Sequence, residues 1–242
     1  MAKLPTAIKP KYTLDLPLSN KQIKFSPFNG ADEKVLILAN TEGDDEQKRD
    51  AVFDVINKCT ESLDYSEVEM AEIEYLFINM IARSINDKII HTFRCGCQGE
   101  DYEKDDVNFT VAFDLYEASV TKPDETEISV TIDTDAGPYV IQMMYPKADQ
   151  LLKTASIKSM IKSIHSKDGE IVFDMDELST EEVEEFVNST TGKQRRPIME
   201  FMQKIPTVKA TATGRCRKCK KTHTIHKEGL RDFFPSSSLQ TL

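Results

Sequence analysis

The sequence predicts an α+β protein in which helical blocks are combined with β-hairpins. Two observations carry that expectation. Apolar residues recur at helical spacing in residues 31–85 and 147–206, and alternate with polar ones in the stretches around them. Four of the five cysteines form two tight pairs, Cys95-Gly96-Cys97 and Cys216-Arg217-Lys218-Cys219, each set between extended segments. The 242 residues can bury a sizeable core. No apolar run approaches the roughly 20 residues that span a bilayer.

Residues 1–30 are expected to hold an N-terminal hairpin. Tyr12, Leu14 and Leu16 point one way, Ser19-Asn20 turns, and Ile23 and Phe25 return. The helical block 31–85 opens near Asp32 with Val35, Leu36 and Leu38. An acidic turn, Glu42 to Glu46, leads to a second helix with Ala51, Val52, Val55, Ile56 and Cys59, where Cys59 reads as a buried core residue. The third helix has the clearest stripe: Ile73, Leu76, Phe77, Met80 and Ile81. In 86–146 the period changes. Residues 89–94 and 107–115 read as strands flanking the first cysteine pair, and 127–133 with 139–145 as a hairpin turning at Asp135-Ala136-Gly137-Pro138.

The block 147–206 is expected to open with a helix carrying Leu151, Leu152, Ala155, Ile161 and Ile164 on one side, broken by Asp168-Gly169. A short extended piece, 171–173, follows. Ser179 three residues before Glu182 is a capping-box pattern, with Val183, Phe186 and Val187 behind it and Gly192 as its end. Pro197 suits the first turn of a next helix with Ile198, Phe201, Met202 and Ile205, closed by Pro206. Residues 207–234 return to strands, 208–213 and 222–227, around the second cysteine pair. The Ser-rich 235–242 reads as a flexible tail.

Asp plus Glu total 41 against 31 Lys plus Arg, a net charge of −10. That mean field repels phosphates, which argues against a general nucleic-acid or membrane-surface binder. Nine Gly and no Trp argue against a glycine-cradled nucleotide fold and a carbohydrate platform. There is no Walker loop, no Gly-x-Gly-x-x-Gly, no Gly-x-Ser-x-Gly, and none of His91, His165, His223 or His226 sits in His-Glu-x-x-His. The expectation is a protein that is not an enzyme. The start, Met1-Ala2-Lys3-Leu4-Pro5, has no apolar signal region, so a reducing cytoplasm is expected, with thiols free or on metal.

Cys216-x-x-Cys219 between strands is the form of a zinc knuckle, and Cys95-x-Cys97 can supply two more thiolates, with Gly96 giving freedom to a tight chelate. The expected site is one structural zinc held by Cys95, Cys97, Cys216 and Cys219, with His223 or His226 as possible substitutes for a sulfur. It would make the two hairpins a zinc-ribbon-like unit. Loose thiols on turns are the plainer alternative. A redox role is disfavoured because Cys216-x-x-Cys219 does not open a helix.

Around it, Lys209, Arg215, Arg217, Lys218, Lys220, Lys221 and Lys227 lie in a stretch free of Asp and Glu. They read as counter-charge for thiolates or as a patch for a protein partner. Nucleic acid is disfavoured because no aromatic interleaves them. Glu170, Asp174, Asp176, Glu177, Glu181, Glu182, Glu184 and Glu185 read as a solvated helix start. Leu230, Phe233 and Phe234 are either a docking anchor or a lid on the local core.

Several segments, in order, resemble one family. They are Tyr12-Thr13-Leu14-Asp15-Leu16-Pro17, Lys24-Phe25-Ser26-Pro27-Phe28, Glu33-Lys34-Val35-Leu36 and Ile73-Glu74-Tyr75-Leu76-Phe77 with Arg83. The cysteine hairpins, Tyr145-Pro146 and Glu228-Gly229-Leu230-Arg231-Asp232-Phe233-Phe234 continue the series. Over residues 9–234 the chain resembles the baseplate hub and hub-assembly proteins of T-even-type contractile-tailed bacteriophages. It departs from that pattern at Cys95-Gly96-Cys97, where a wider spacing is expected. The resemblance implies a non-enzymatic hub assembly factor, a morphogenesis chaperone acting in the host cytoplasm with other phage baseplate hub proteins as partners. It leaves open a stoichiometric hub subunit in the virion; a zinc-ribbon nucleic-acid binder is the further alternative.

Overall fold

A computed structural model describes residues 8–97, 107–153 and 156–233. β1 (Tyr12–Asp15) and β2 (Gln22–Phe25) form the expected antiparallel hairpin, with Leu14 opposite Ile23. α1 (Gly30–Glu42) and α2 (Asp45–Cys59) start at Asn29 and Asp44, whose side chains accept from the N3 backbone while Asp32 and Gln47 bond back. α3 (Met70–Ser84) buries the whole predicted stripe and Glu72 besides. The Glu72 carboxylate accepts from the N–H groups of Leu18 and Ser19, both at 2.8 Å, and from the Ser19 hydroxyl at 3.0 Å. A buried charge met by three donors ties the first hairpin's turn to the central helix.

β3 (Lys88–Arg94) pairs antiparallel with β4 (Asn108–Asp114), and β5 (Ser119–Val120) follows. β6 (Glu127–Thr134) and β7 (Gly137–Met144) form the expected hairpin, turning tightly with Gly137 at φ 106°. Then come α4 (Ala148–Lys153), β8 (Ile161–Ser166), β9 (Val172–Phe173), α5 (Thr180–Ser189) and α6 (Gly192–Met202). β10 (Val208–Arg215), β11 (Thr222–Glu228) and the short α7 (Gly229–Phe233) complete the order. No helix among the described residues is long and apolar enough to cross a membrane.

Two expectations change. Among the described residues the helix expected after residue 147 is α4; Ile161 and Ile164 lie on strand β8, and Ala155 lies outside the described residues. Ile164 faces Ile141 but Ile161 faces Met143, because the register shifts at Gln142/Met143. That bulge puts two residues three apart on one face of a sheet, a spacing that reads as helical in the sequence. Second, Gly192 does not end α5. It opens α6 under a capping box of Thr191 and Gln194, so Pro197 lies inside that helix rather than in its first turn.

The chain divides into two compact units. One holds the described parts of Met1–Leu63, Ala71–Thr121 and Thr207–Leu242. Its core gathers Leu16, Phe25, Val55, Ile56, Cys59, α3, Val111, Phe113 and Phe233. Arg83 lies over the rings of Tyr12 and Tyr116, 4.9 Å from each centroid. Here β11, β10 and β5 form one sheet and β3 with β4 another. Thr121 and Thr207 bond to each other, the Thr121 N–H to the Thr207 carbonyl at 2.9 Å. The other unit, Asp64–Met70 with Lys122–Pro206, is a four-stranded antiparallel sheet ordered β6-β7-β8-β9. Val130, Ile132, Tyr139, Ile141, Met143 and Ile164 of this sheet pack with Val183, Val187, Ile198 and Phe201 of α5 and α6.

Candidate metal centre

The two cysteine pairs sit where two hairpins of the first unit end. β10 lies so close to β4 that a Cβ on Gly214 would stand 2.6 Å from side-chain atoms of both Phe109 and Val111. Glycine in a strand allows this approach, and it brings residues 95–97 and 216–219 together. The first turn is held by the Cys95 N–H on the Val107 carbonyl at 3.0 Å. The second is held by the Cys216 N–H on Lys221 and the Lys220 N–H on Cys216, at 3.0 and 3.1 Å, with Lys220 left-handed at φ 60°. The freedom expected of Gly96 is not used: its φ is not positive, and a Cβ there would meet nothing within 4 Å.

Cys95 Sγ lies 3.7 Å from Cys219 Sγ, and Cys97 Sγ 3.8 Å from Cys216 Sγ. All four sulfurs fall within 4.8 Å of one another. All are free thiols, with both short pairs running between hairpins. A tetrahedral four-thiolate site with arms of about 2.3 Å has edges of about 3.8 Å, so the donor set fits a metal ion. Cys95 and Cys216 are buried, Cys97 is half-buried and Cys219 exposed.

The sulfurs differ electrostatically. The N–H groups of Cys219 and Lys218 point at Cys216 Sγ and lower its pKa to about 7, against its burial. The adjacent Cys95 thiol, then burial, push Cys97 up to about 12, and burial raises Cys95. Four thiols this close cannot all ionise unaided, and a cation among them inverts that repulsion.

His223 stands beside the cluster, its Nε2 3.1 Å from Cys95 Sγ and its ring stacked on Phe109 at 4.8 Å and 18°. His226 lies outside it, exposed on β11 with Nδ1 2.9 Å from Thr211 Oγ1. Arg215, Arg217, Lys220 and Lys221 are exposed around the second turn. Lys209 faces Glu228 across β10–β11. Lys227 is half-buried over the rings of Phe93 and Phe113, at 5.8 and 5.7 Å, and burial lowers its pKa. Among the acids, Glu182 is the capping partner of Ser179.

Leu230 is half-buried and Phe233 fully buried; Phe234, like residues 235–242, lies outside the described residues. α7 is held by the Leu230 N–H on the Glu74 carboxylate and by His91 Nε2, 3.3 Å from the Phe233 carbonyl. Gly214 and Phe109 escaped the sequence reading. A glycine inside an alternating strand was the available signal for the first; the second carries none.

The chain matches the family model described as T4 bacteriophage base plate protein over residues 9–235. It is 26% identical over 227 residues to "Baseplate hub assembly protein gp26" of Enterobacteria phage T4, covering 93% of this chain and 98% of that protein. No solved structure matches it.

Proposed function

The chain belongs to the T4 bacteriophage base plate protein family, and from that premise we propose that it is a baseplate hub assembly factor. In this reading it is a morphogenesis chaperone that binds other phage hub proteins in the host cytoplasm and catalyses no reaction. The observation that carries the reading is the match to a hub assembly protein along 98% of that protein's length. Exposed apolar residues support docking through helix faces: no residue of α1 is buried, and its Val35 and Leu38 are 42% and 49% exposed. Phe233 is 0% exposed, which supports the lid role for it rather than the anchor.

The centre is read as structural zinc in a zinc-ribbon-like unit, held by Cys95, Cys97, Cys216 and Cys219. When bound, zinc supplies a cross-link, and four protein ligands leave no open position for chemistry. The bridged cysteines are 119 and 124 residues apart. A link over so long a loop turns metal-binding free energy into folding free energy.

The family description, base plate protein, favours a second reading, a stoichiometric hub subunit of the virion. Mass spectrometry of infected-cell lysate and of purified particles separates the two. The assembly reading predicts peptides in the lysate and none in particles at baseplate stoichiometry. Stoichiometric peptides in particles would overturn it in favour of the subunit.

A further inference from the structure

The two cysteine turns are unequal. Cys216-Arg217-Lys218-Cys219 leaves two residues between its sulfurs, and the N–H groups of Lys218 and Cys219 both reach Cys216 Sγ. Cys95-Gly96-Cys97 leaves one, and among the described residues the backbone donor at Cys95 Sγ is the Cys97 N–H. A divalent ion in four thiolates leaves two surplus negative charges, which N–H donors disperse. Among the described residues, Cys95 Sγ thus has one backbone donor and Cys216 Sγ two.

A further neighbour of Cys95 Sγ comes from the other hairpin. His223 Nε2 is 3.1 Å from Cys95 Sγ. That is a hydrogen-bond distance, and shorter than the edge of about 3.5 Å that a nitrogen and a sulfur sharing one tetrahedral metal would show. His223 sits opposite Gly214 in the β10–β11 register, where β10 meets β4, and Phe109 of β4 stacks on its ring. Ring plane and ring position are thus fixed by the same close approach that assembles the cysteines.

We propose that His223 is a positioning residue of the metal centre, an Nε2–H donor to Cys95 Sγ that adds to the backbone N–H of the one-residue turn. The inference rests on the metal reading above and deepens it.

The test uses the full chain loaded with cobalt(II), then zinc, as wild type, His223→Phe, His223→Gln and Phe109→Leu. All four are expected to show the tetrahedral cobalt spectrum of four thiolates. In His223→Phe the sulfur-to-cobalt charge-transfer band moves to lower energy, and zinc passes to a chelator about 10-fold faster. His223→Gln keeps a side-chain N–H and stays near the wild-type rate. Phe109→Leu keeps the donor but frees the ring, giving an intermediate rate and an answer even if His223→Phe does not fold. A wild-type release rate in His223→Phe, or in Phe109→Leu should His223→Phe not fold, would overturn the inference and leave the metal centre standing. So would a wild-type spectrum of three thiolates and one nitrogen, which would make His223 a ligand. Absence of any tetrahedral cobalt spectrum in the wild type would overturn the metal reading itself, and the inference with it.

Discussion

Gly214 sets how closely two hairpins pack, because the side chains of Phe109 and Val111 occupy the space a Cβ would need. Gly214→Ala is expected to cost about 1–3 kcal/mol, read as a lower urea midpoint; an unchanged midpoint would mean the hairpins can separate freely. His91 is one pH-sensitive residue of this unit. Burial and then Lys227 lower its pKa from the ordinary 6.5, against the bond to the Phe233 carbonyl. As pH falls, the unfolded chain takes up this proton first. Stability is therefore present above about 6.5 and is lost as pH drops toward the lowered folded value. Urea unfolding at about pH 7.5 and about pH 5 should show wild type losing more stability than His91→Gln; parallel losses would remove His91 from the account. Cys59 was legible as a core residue because a lone thiol at helical spacing is usually buried. Glu72 was not, because its three donors come from the turn at residues 18–19, more than fifty positions away.

α7 shows how a five-residue helix can belong to a core. Its backbone is held by Glu74 and His91, and its Phe233 is wholly buried. Phe233→Ala is expected to cost about 3–5 kcal/mol in denaturant unfolding. A cost below about 1 kcal/mol would place the ring outside the core and return it to docking. The first hairpin, α3 and the capped start of α5 were legible because each is specified by neighbours in sequence: Ser19-Asn20, the stripe from Ile73 to Ile81, Ser179 with Glu182. β8 was not, since its inward residues are three apart only by virtue of a bulge against β7. α6 was misplaced because Pro197 looks like a helix start, while the start is set by Thr191 and Gln194.

Across the whole molecule the four cysteines were readable as one site, since two tight pairs between strands supply four thiols, but the packing that assembles them was not. Assembly depends on β10 lying against β4, a contact between segments about a hundred residues apart. The partition into two units was likewise hidden, because residues 64–70 join a unit otherwise made from 122–206. There the Lys147 ammonium pairs with Glu69 at 2.7 Å, a long-range contact no local pattern announces. In the reading proposed above, one metal ion clips the middle of this chain to its end. The most direct test of that reading is elemental analysis of protein purified without added metal, beside the Cys216→Ser/Cys219→Ser double variant. The account predicts about one zinc per wild-type chain, little or none in the variant, and a stability loss on the order of several kcal/mol when the ion is removed. Less than about a tenth of an equivalent in folded wild-type protein would contradict it.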